Sequence, residues 1–117
     1  MRILTFAATT FLAVAAVTAA HAHAFLDHAE PRVGSTVPAA PKDVVLTFSQ
    51  KVEAAFSSVE VSDAKGTRVD EGKPVVNATT MRIRLKQLPP GTYHVRWQVM
   101  SVDTHNTEGN FTFQVGK

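Results

Sequence analysis

Two clusters of residues in this chain could do chemistry. Asp103-Thr104-His105 supplies a carboxylate and an imidazole two positions apart. At the other end, Ala20-His21-Ala22 precedes His23-Ala24-Phe25-Leu26. The first of these reads as the small-x-small end of a cleavable export signal. Cleavage after Ala22 would leave His23 as the first residue, with a free amine and a ring nitrogen on one side chain. The amine titrates at about 7.7–8.0, so giving up its proton to a metal costs little at neutral pH. Closing a chelate ring presents the second nitrogen at high effective concentration. Nitrogen and oxygen donors in a tetragonal arrangement favour Cu(II), which also tops the divalent affinity order. Together with Asp103 and His105, these groups suggest a copper site. Such a site weakens as pH falls, because protons compete for the nitrogens.

The signal reading rests on Arg2, the apolar run Ile3 to Val17 and the Ala20-His21-Ala22 site. The run is short for a bilayer span and no stop-transfer pattern follows. The alternatives are an uncleaved anchor, and cleavage after Ala20 at the poorer site Thr18-Ala19-Ala20. Residues 1–22 are thus expected to be removed, leaving residues 23–117 as one small domain. Loss of Arg2 leaves the mature charge close to neutral, which argues against nucleic acid or an anionic membrane as the main partner. The chain has no cysteine, so thiolate sites and thiol catalysis are excluded. No segment of the mature chain reads as membrane-embedded, and a monomer is expected.

In an extended segment, residues i and i+2 face one side, so Asp103 and His105 are expected to converge while Thr104 turns away. By itself D-x-H is a weak motif, equally at home in a solvated surface loop. The conjunction with a terminal histidine strengthens it. His28 is a candidate additional ligand or an ordinary hydrogen-bonded histidine. His94 falls on the polar face of a strand. Met81 and Met100 read as core or rim residues. Asn77-Ala78-Thr79 and Asn110-Phe111-Thr112 match the glycosylation pattern, which is common by chance.

The elements that must position these residues are strands. Val44, Leu46 and Phe48 alternate with Val45 and Thr47, and Val59 and Val61 with Ser58 and Glu60. The same holds for Met81, Ile83 and Leu85, for Tyr93, Val95, Trp97 and Val99, and for Phe111, Phe113 and Val115. Period two is the mark of half-buried strands. Phe25 to Glu30 is a further strand. Pro31 to Ser35, Pro38 to Pro41, Asp63 to Gly66, Asp70 to Pro74 and Pro89 to Gly91 read as turns or loops. About seven short strands so spaced predict an antiparallel sandwich. Leu88-Pro89-Pro90-Gly91-Thr92-Tyr93 has the form of a tyrosine corner. Trp97 is expected on the same face as Tyr93.

As a set these motifs resemble the CopC family of periplasmic copper-binding proteins. The resemblance is carried by His23-Ala24-Phe25-Leu26, Glu30 to Ser35, Leu46-Thr47-Phe48-Ser49, Leu88 to Trp97, Ser101 to His105 and Gly109 to Phe113. It implies an all-β, seven-stranded Greek-key sandwich or barrel, cupredoxin-like or immunoglobulin-like. It also implies a Cu(II) site that maps to His23, through amine and ring, with Asp103 and His105. Delivery to an inner-membrane importer of the CopD type is a further implication. Two departures stand out. Some members carry a Met-rich Cu(I) site, but Val59 to Pro74 here has neither Met nor His. Some carry Glu after the Phe-Ser of the strand near the Cu(II) site, where this chain has Gln50.

The expected function is periplasmic copper sequestration or delivery, without catalysis. The rival readings are a copper-dependent oxidative enzyme of the His-brace type and a metal-free immunoglobulin-like binding module. Against the enzyme stand the small size, the lack of a flat aromatic surface, and Asp103 in a position that oxygen chemistry needs open.

Overall fold

A computed structural model describes residues 24–116. The signal segment, His23 and Lys117 lie outside the described residues. Two four-stranded sheets face each other. The strands are β1 (Leu26–Glu30), β2 (Thr36–Val37), β3 (Asp43–Phe48), β4 (Ser58–Asp63), β5 (Asp70–Asn77), β6 (Thr80–Leu85), β7 (Gly91–Met100) and β8 (Asn106–Val115). A single 3-10 turn covers Ala54–Phe56. One sheet has the order β1-β3-β6-β5 and the other β2-β8-β7-β4. Among the described residues, only β5–β6 and β7–β8 are hairpins; every other connection crosses between sheets. The all-β sandwich expected from the alternation is the architecture found.

The alternating apolar residues form the core. Val44, Leu46 and Phe48 of β3 and Met81, Ile83 and Leu85 of β6 face Val59, Val61, Tyr93, Val95, Trp97, Val99, Phe111 and Phe113 of the second sheet. Phe48 and Trp97 meet edge to face across the sandwich, with ring centroids 5.1 Å apart. Such a contact contributes about 0.5–1.5 kcal/mol beyond area burial. Gly109 pairs with Trp97 across the β7–β8 ladder, and a Cβ there would sit 2.6 Å from Trp97 Cζ2. The absent side chain makes room for the indole. The tyrosine corner is present: Tyr93 O–H donates to Pro89 O at 2.5 Å, fixing the passage from β6 to β7.

Two local expectations are corrected. Asp70 to Pro74 is not a loop but the first half of β5. Gly72 at φ 73° and Pro74 break the alternation that marks a strand, and a register shift between Glu71 and Val75 absorbs them. As β5 is an edge strand, Pro74 interrupts no interior ladder. The strand count is eight because the two-residue β2 adds a short parallel pairing onto β8, Thr36 with Gln114 and Val37 with Val115.

Asp70 fastens β5 to β4. Its side chain, 6% exposed, accepts Val61 N–H at 2.7 Å and both Nε and Nη2 of Arg68 at 2.9 Å. Burial alone would raise this carboxyl, but the Arg68 and Val61 hydrogen bonds outweigh it and hold the group below the usual carboxylate range.

Candidate metal centre

The longest ladder in the molecule ends at the D-x-H motif. β7 and β8 pair over ten positions, from Gly91–Val115 to Met100–Asn106. Beyond Met100 the chain reverses within Ser101 to His105. Ser101 N–H donates to His105 O at 2.9 Å and Thr104 N–H donates to Ser101 O at 2.8 Å. Thr104 has φ 71°, the left-handed conformation that closes three-residue hairpin loops. A β-branched residue is uncommon there, and such strain concentrates at functional sites.

The motif is therefore a tight turn, not the extended segment expected. The strand-like parity argument fails here because β8 already begins at Asn106, leaving only five residues to reverse the chain. The turn nevertheless brings the two side chains together. Asp103 Oδ1 lies 3.4 Å from His105 Nδ1. Two donors bound at about 2.0–2.1 Å on adjacent corners of a tetragonal ion are about 2.9 Å apart. A small closure of the turn would therefore bring one oxygen and one nitrogen to a shared ion.

Ser101 organises this turn and was not singled out by the sequence. It is the buried polar side chain of the described core, at 0% exposure. Its hydroxyl donates to Asp103 Oδ1 and lies 3.3 Å from the His105 amide. The Ser101 hydroxyl bond is the largest influence on the Asp103 carboxyl; desolvation opposes it, and the His105 ring adds to it, so that the group is held below its ordinary range. Asp103 is thus anionic well below neutral pH, as a metal ligand must be. Its S-x-D spacing was the available signal, but serine is too common to carry it.

The segment after β3 braces the turn from the other sheet. Val102 N–H donates to Lys51 O at 3.1 Å and Glu53 N–H to Met100 O at 2.8 Å. Val52 bridges Ser101. The described chain starts at this same end. Ala24 is fully buried, and its carbonyl accepts the Thr107 hydroxyl at 2.8 Å, two residues beyond His105. Phe25 N–H donates to Ser49 Oγ at 2.8 Å, and Ser49 N–H donates to Phe25 O at 2.8 Å.

The remaining candidates are placed elsewhere. His28, on edge strand β1, lies 3.2 Å from Glu30 Oε2. Among the described residues no three His, Asp or Glu side chains gather in a metal-holding group, so His28 does not join Asp103 and His105. His94 is exposed on β7, opposite Ser62 and Thr112. Met81 is fully buried in the core and Met100 is half-buried. Gln50 is half-buried in the brace between Ser49 and Lys51. No helix among the described residues is long and apolar enough to cross a membrane.

A family model described as the CopC domain matches residues 26–116, nearly all of the described chain. The chain belongs to the CopC domain family. The chain is 37% identical over 98 residues to Protein YobA of Escherichia coli K12, covering 80% of this chain and 79% of that protein. It is 33% identical over 100 residues to the copper transport protein CutJ of Bacillus subtilis. That match covers 82% of this chain but only 18% of CutJ, so the chain spans under a fifth of that relative.

Among solved structures, CopC from Methylosinus trichosporium OB3b is similar with a TM-score of 0.72 and 34% identity, covering 80% of this chain and 94% of that one. PcoC from Escherichia coli, titled a methionine-rich copper resistance protein, gives 0.71 and 35%, covering 80% and 99%. The present chain has three methionines in all, with Met81 in the core.

Proposed function

We propose that the mature protein starts at His23 and binds one Cu(II) ion outside the cytoplasm, to sequester copper or to carry it. The ligands are the His23 amine and ring, Asp103 and His105. The observation that carries this reading is the pairing of Asp103 and His105 donors 3.4 Å apart, in a turn that lies beside the start of the chain. His23 directly precedes Ala24 in the sequence, and the Ala24 carbonyl is tied to Thr107. His23 contributes the chelate, His105 the third nitrogen, and Asp103 a negative oxygen that offsets part of the metal charge. Copper would supply no reaction in this reading; it is cargo.

Support for a carrier role comes from CutJ, in which a domain similar to this chain is part of a much longer copper transport protein. In this reading the chain hands copper, from the periplasm, to an inner-membrane importer of the CopD type. No docked complex or second copy is required for the site itself.

The test is Cu(II) titration of protein beginning at His23, followed by electron paramagnetic resonance. The expected result is one ion per chain with a nitrogen-rich tetragonal signal, lost in Asp103→Ala/His105→Ala and collapsed by one extra residue before His23. Equal binding with and without the extra residue would exclude the amine as a ligand. Absence of stoichiometric binding would leave the metal-free module. Oxygen-dependent turnover with ascorbate would support the enzyme instead.

A further inference from the structure

The peptide group between Ala24 and Phe25 is held from both sides by side-chain hydroxyls. Its carbonyl accepts Thr107 Oγ1–H and its N–H donates to Ser49 Oγ, both at 2.8 Å. This peptide is trans, so the two groups point in opposite directions and the hydroxyls lie on opposite flanks of the plane. Thr107 belongs to β8, in the second sheet, and Ser49 follows β3, in the first. Ordinary strand pairing would have satisfied these backbone groups without side chains. Phe25 does pair with Ser49 once through the main chain, Ser49 N–H to Phe25 O. The Ala24–Phe25 peptide itself is served by the two hydroxyls.

We infer that Ser49 and Thr107 are positioning residues for the amino-terminal copper ligand, clamping the Ala24–Phe25 peptide so that the chain start is aimed at Asp103 and His105. This rests on the copper reading above. With that plane fixed, only the torsions of Ala24 and one torsion of the preceding residue separate it from the terminal amine. Ala24 is fully buried, which restricts its own two. The ligand arriving from the far end of the sequence is thus pre-set, and the ordering cost of metal binding is reduced. Partners that orient a ligand in this way are typically worth roughly 10–100-fold in metal affinity.

The experiment compares Thr107→Val, Ser49→Ala and Thr107→Ser with the parent chain. Each is prepared in two forms, one starting at His23 and one with a glycine before His23. Cu(II) affinity is measured by competition with a chromogenic chelator, and melting confirms folding. In the His23-first form, Thr107→Val and Ser49→Ala should each weaken Cu(II) binding about tenfold, with Thr107→Ser retaining most of the affinity. In the glycine-extended form they should change it less than about twofold, because the amine is no longer a ligand to be aimed. Equal losses in both forms would show a general structural role and overturn the inference. No loss in either form would also overturn it. Hydrogen exchange gives a copper-free check. The Phe25 amide should be protected in the parent and exposed in Ser49→Ala, and an unprotected parent amide removes the clamp while leaving the copper reading intact. Equal copper affinity for the parent with and without the glycine would instead sink the copper reading, and the clamp's role with it.

Discussion

Gly109→Ala tests whether the contact at the centre of the sandwich is as close as it looks. The added Cβ would lie 2.6 Å from Trp97 Cζ2, 2.9 Å from Cε2 and 3.2 Å from Nε1. Carbon atoms normally rest about 3.5–4.0 Å apart, so the indole must recede by about 1 Å. Behind it stands Phe48, edge-on at 5.1 Å, and Trp97 is only 7% exposed. Overpacking of this kind costs about 1–3 kcal/mol. Spoiling the Phe48 contact adds part of about 0.5–1.5 kcal/mol. A gain acts the other way: the Gly109 backbone is one that other residues adopt, so alanine should stabilise by about 0.4–1 kcal/mol through the unfolded chain. The steric loss is larger, and the net is about 2 kcal/mol. For a domain of this size that lowers Tm by about 8–16 °C. Thermal melts followed by fluorescence suit the question, since Trp97 is the single tryptophan. Adding Trp97→Phe to Gly109→Ala should recover at least about 1 kcal/mol relative to the sum of the single losses. A Tm equal to or above that of the parent, with unchanged Trp97 emission, would refute the packing argument.

Asp70→Asn should cost about 1–2 kcal/mol in urea denaturation at pH 7, a modest figure because Arg68 is half exposed. The folded Asp70 carboxyl is depressed, so its stabilisation is full above the ordinary carboxylate value near 3.9 and is lost as pH falls through the folded value. The gap between parent and Asp70→Asn should therefore close in acid, and a gap that persists at pH 2 would contradict the assignment. Tyr93→Phe removes the hydroxyl bond to Pro89 O and should cost about 1 kcal/mol in the same assay. Burial first, then Asp63, raises the Tyr93 phenol, so the parent should lose stability above about pH 10 while Tyr93→Phe does not. His28→Ala and His94→Ala should each leave Cu(II) stoichiometry and the paramagnetic signal unchanged. A changed signal in His28→Ala would place that ring on the metal.

The sandwich was legible because its strands keep a strict alternation: every predicted inward residue from Val44 to Val115 that the sequence marked is in the core. Tyr93 was legible through the turn chemistry before it. β5 was not, because Gly72 and Pro74 interrupt the only periodic signal a strand has, and an edge position tolerates both. The convergence of Asp103 and His105 was expected, but by the wrong route. Strand parity says nothing of a five-residue reversal closed by Thr104 at positive φ. Ser49, Ser101 and Thr107 were given no role of their own because a hydroxyl becomes specific only through what it touches, and their partners lie up to 83 positions away.

That separation has a consequence for timing. The β7–β8 hairpin and its Ser101–His105 turn are contiguous in sequence, so they can form early and at small entropic cost. The hydrogen bond from Thr107 to Ala24 joins the last strand to the residues ahead of the first, so it forms once the two sheets have come together. Half of the proposed ligand set is therefore in place when a single hairpin has formed, whereas the other half waits for the last contact. An incompletely folded chain would offer copper the His23 chelate and the Asp103–His105 pair only as two separate, weaker sites, which makes capture of the ion by all four donors a readout of finished folding.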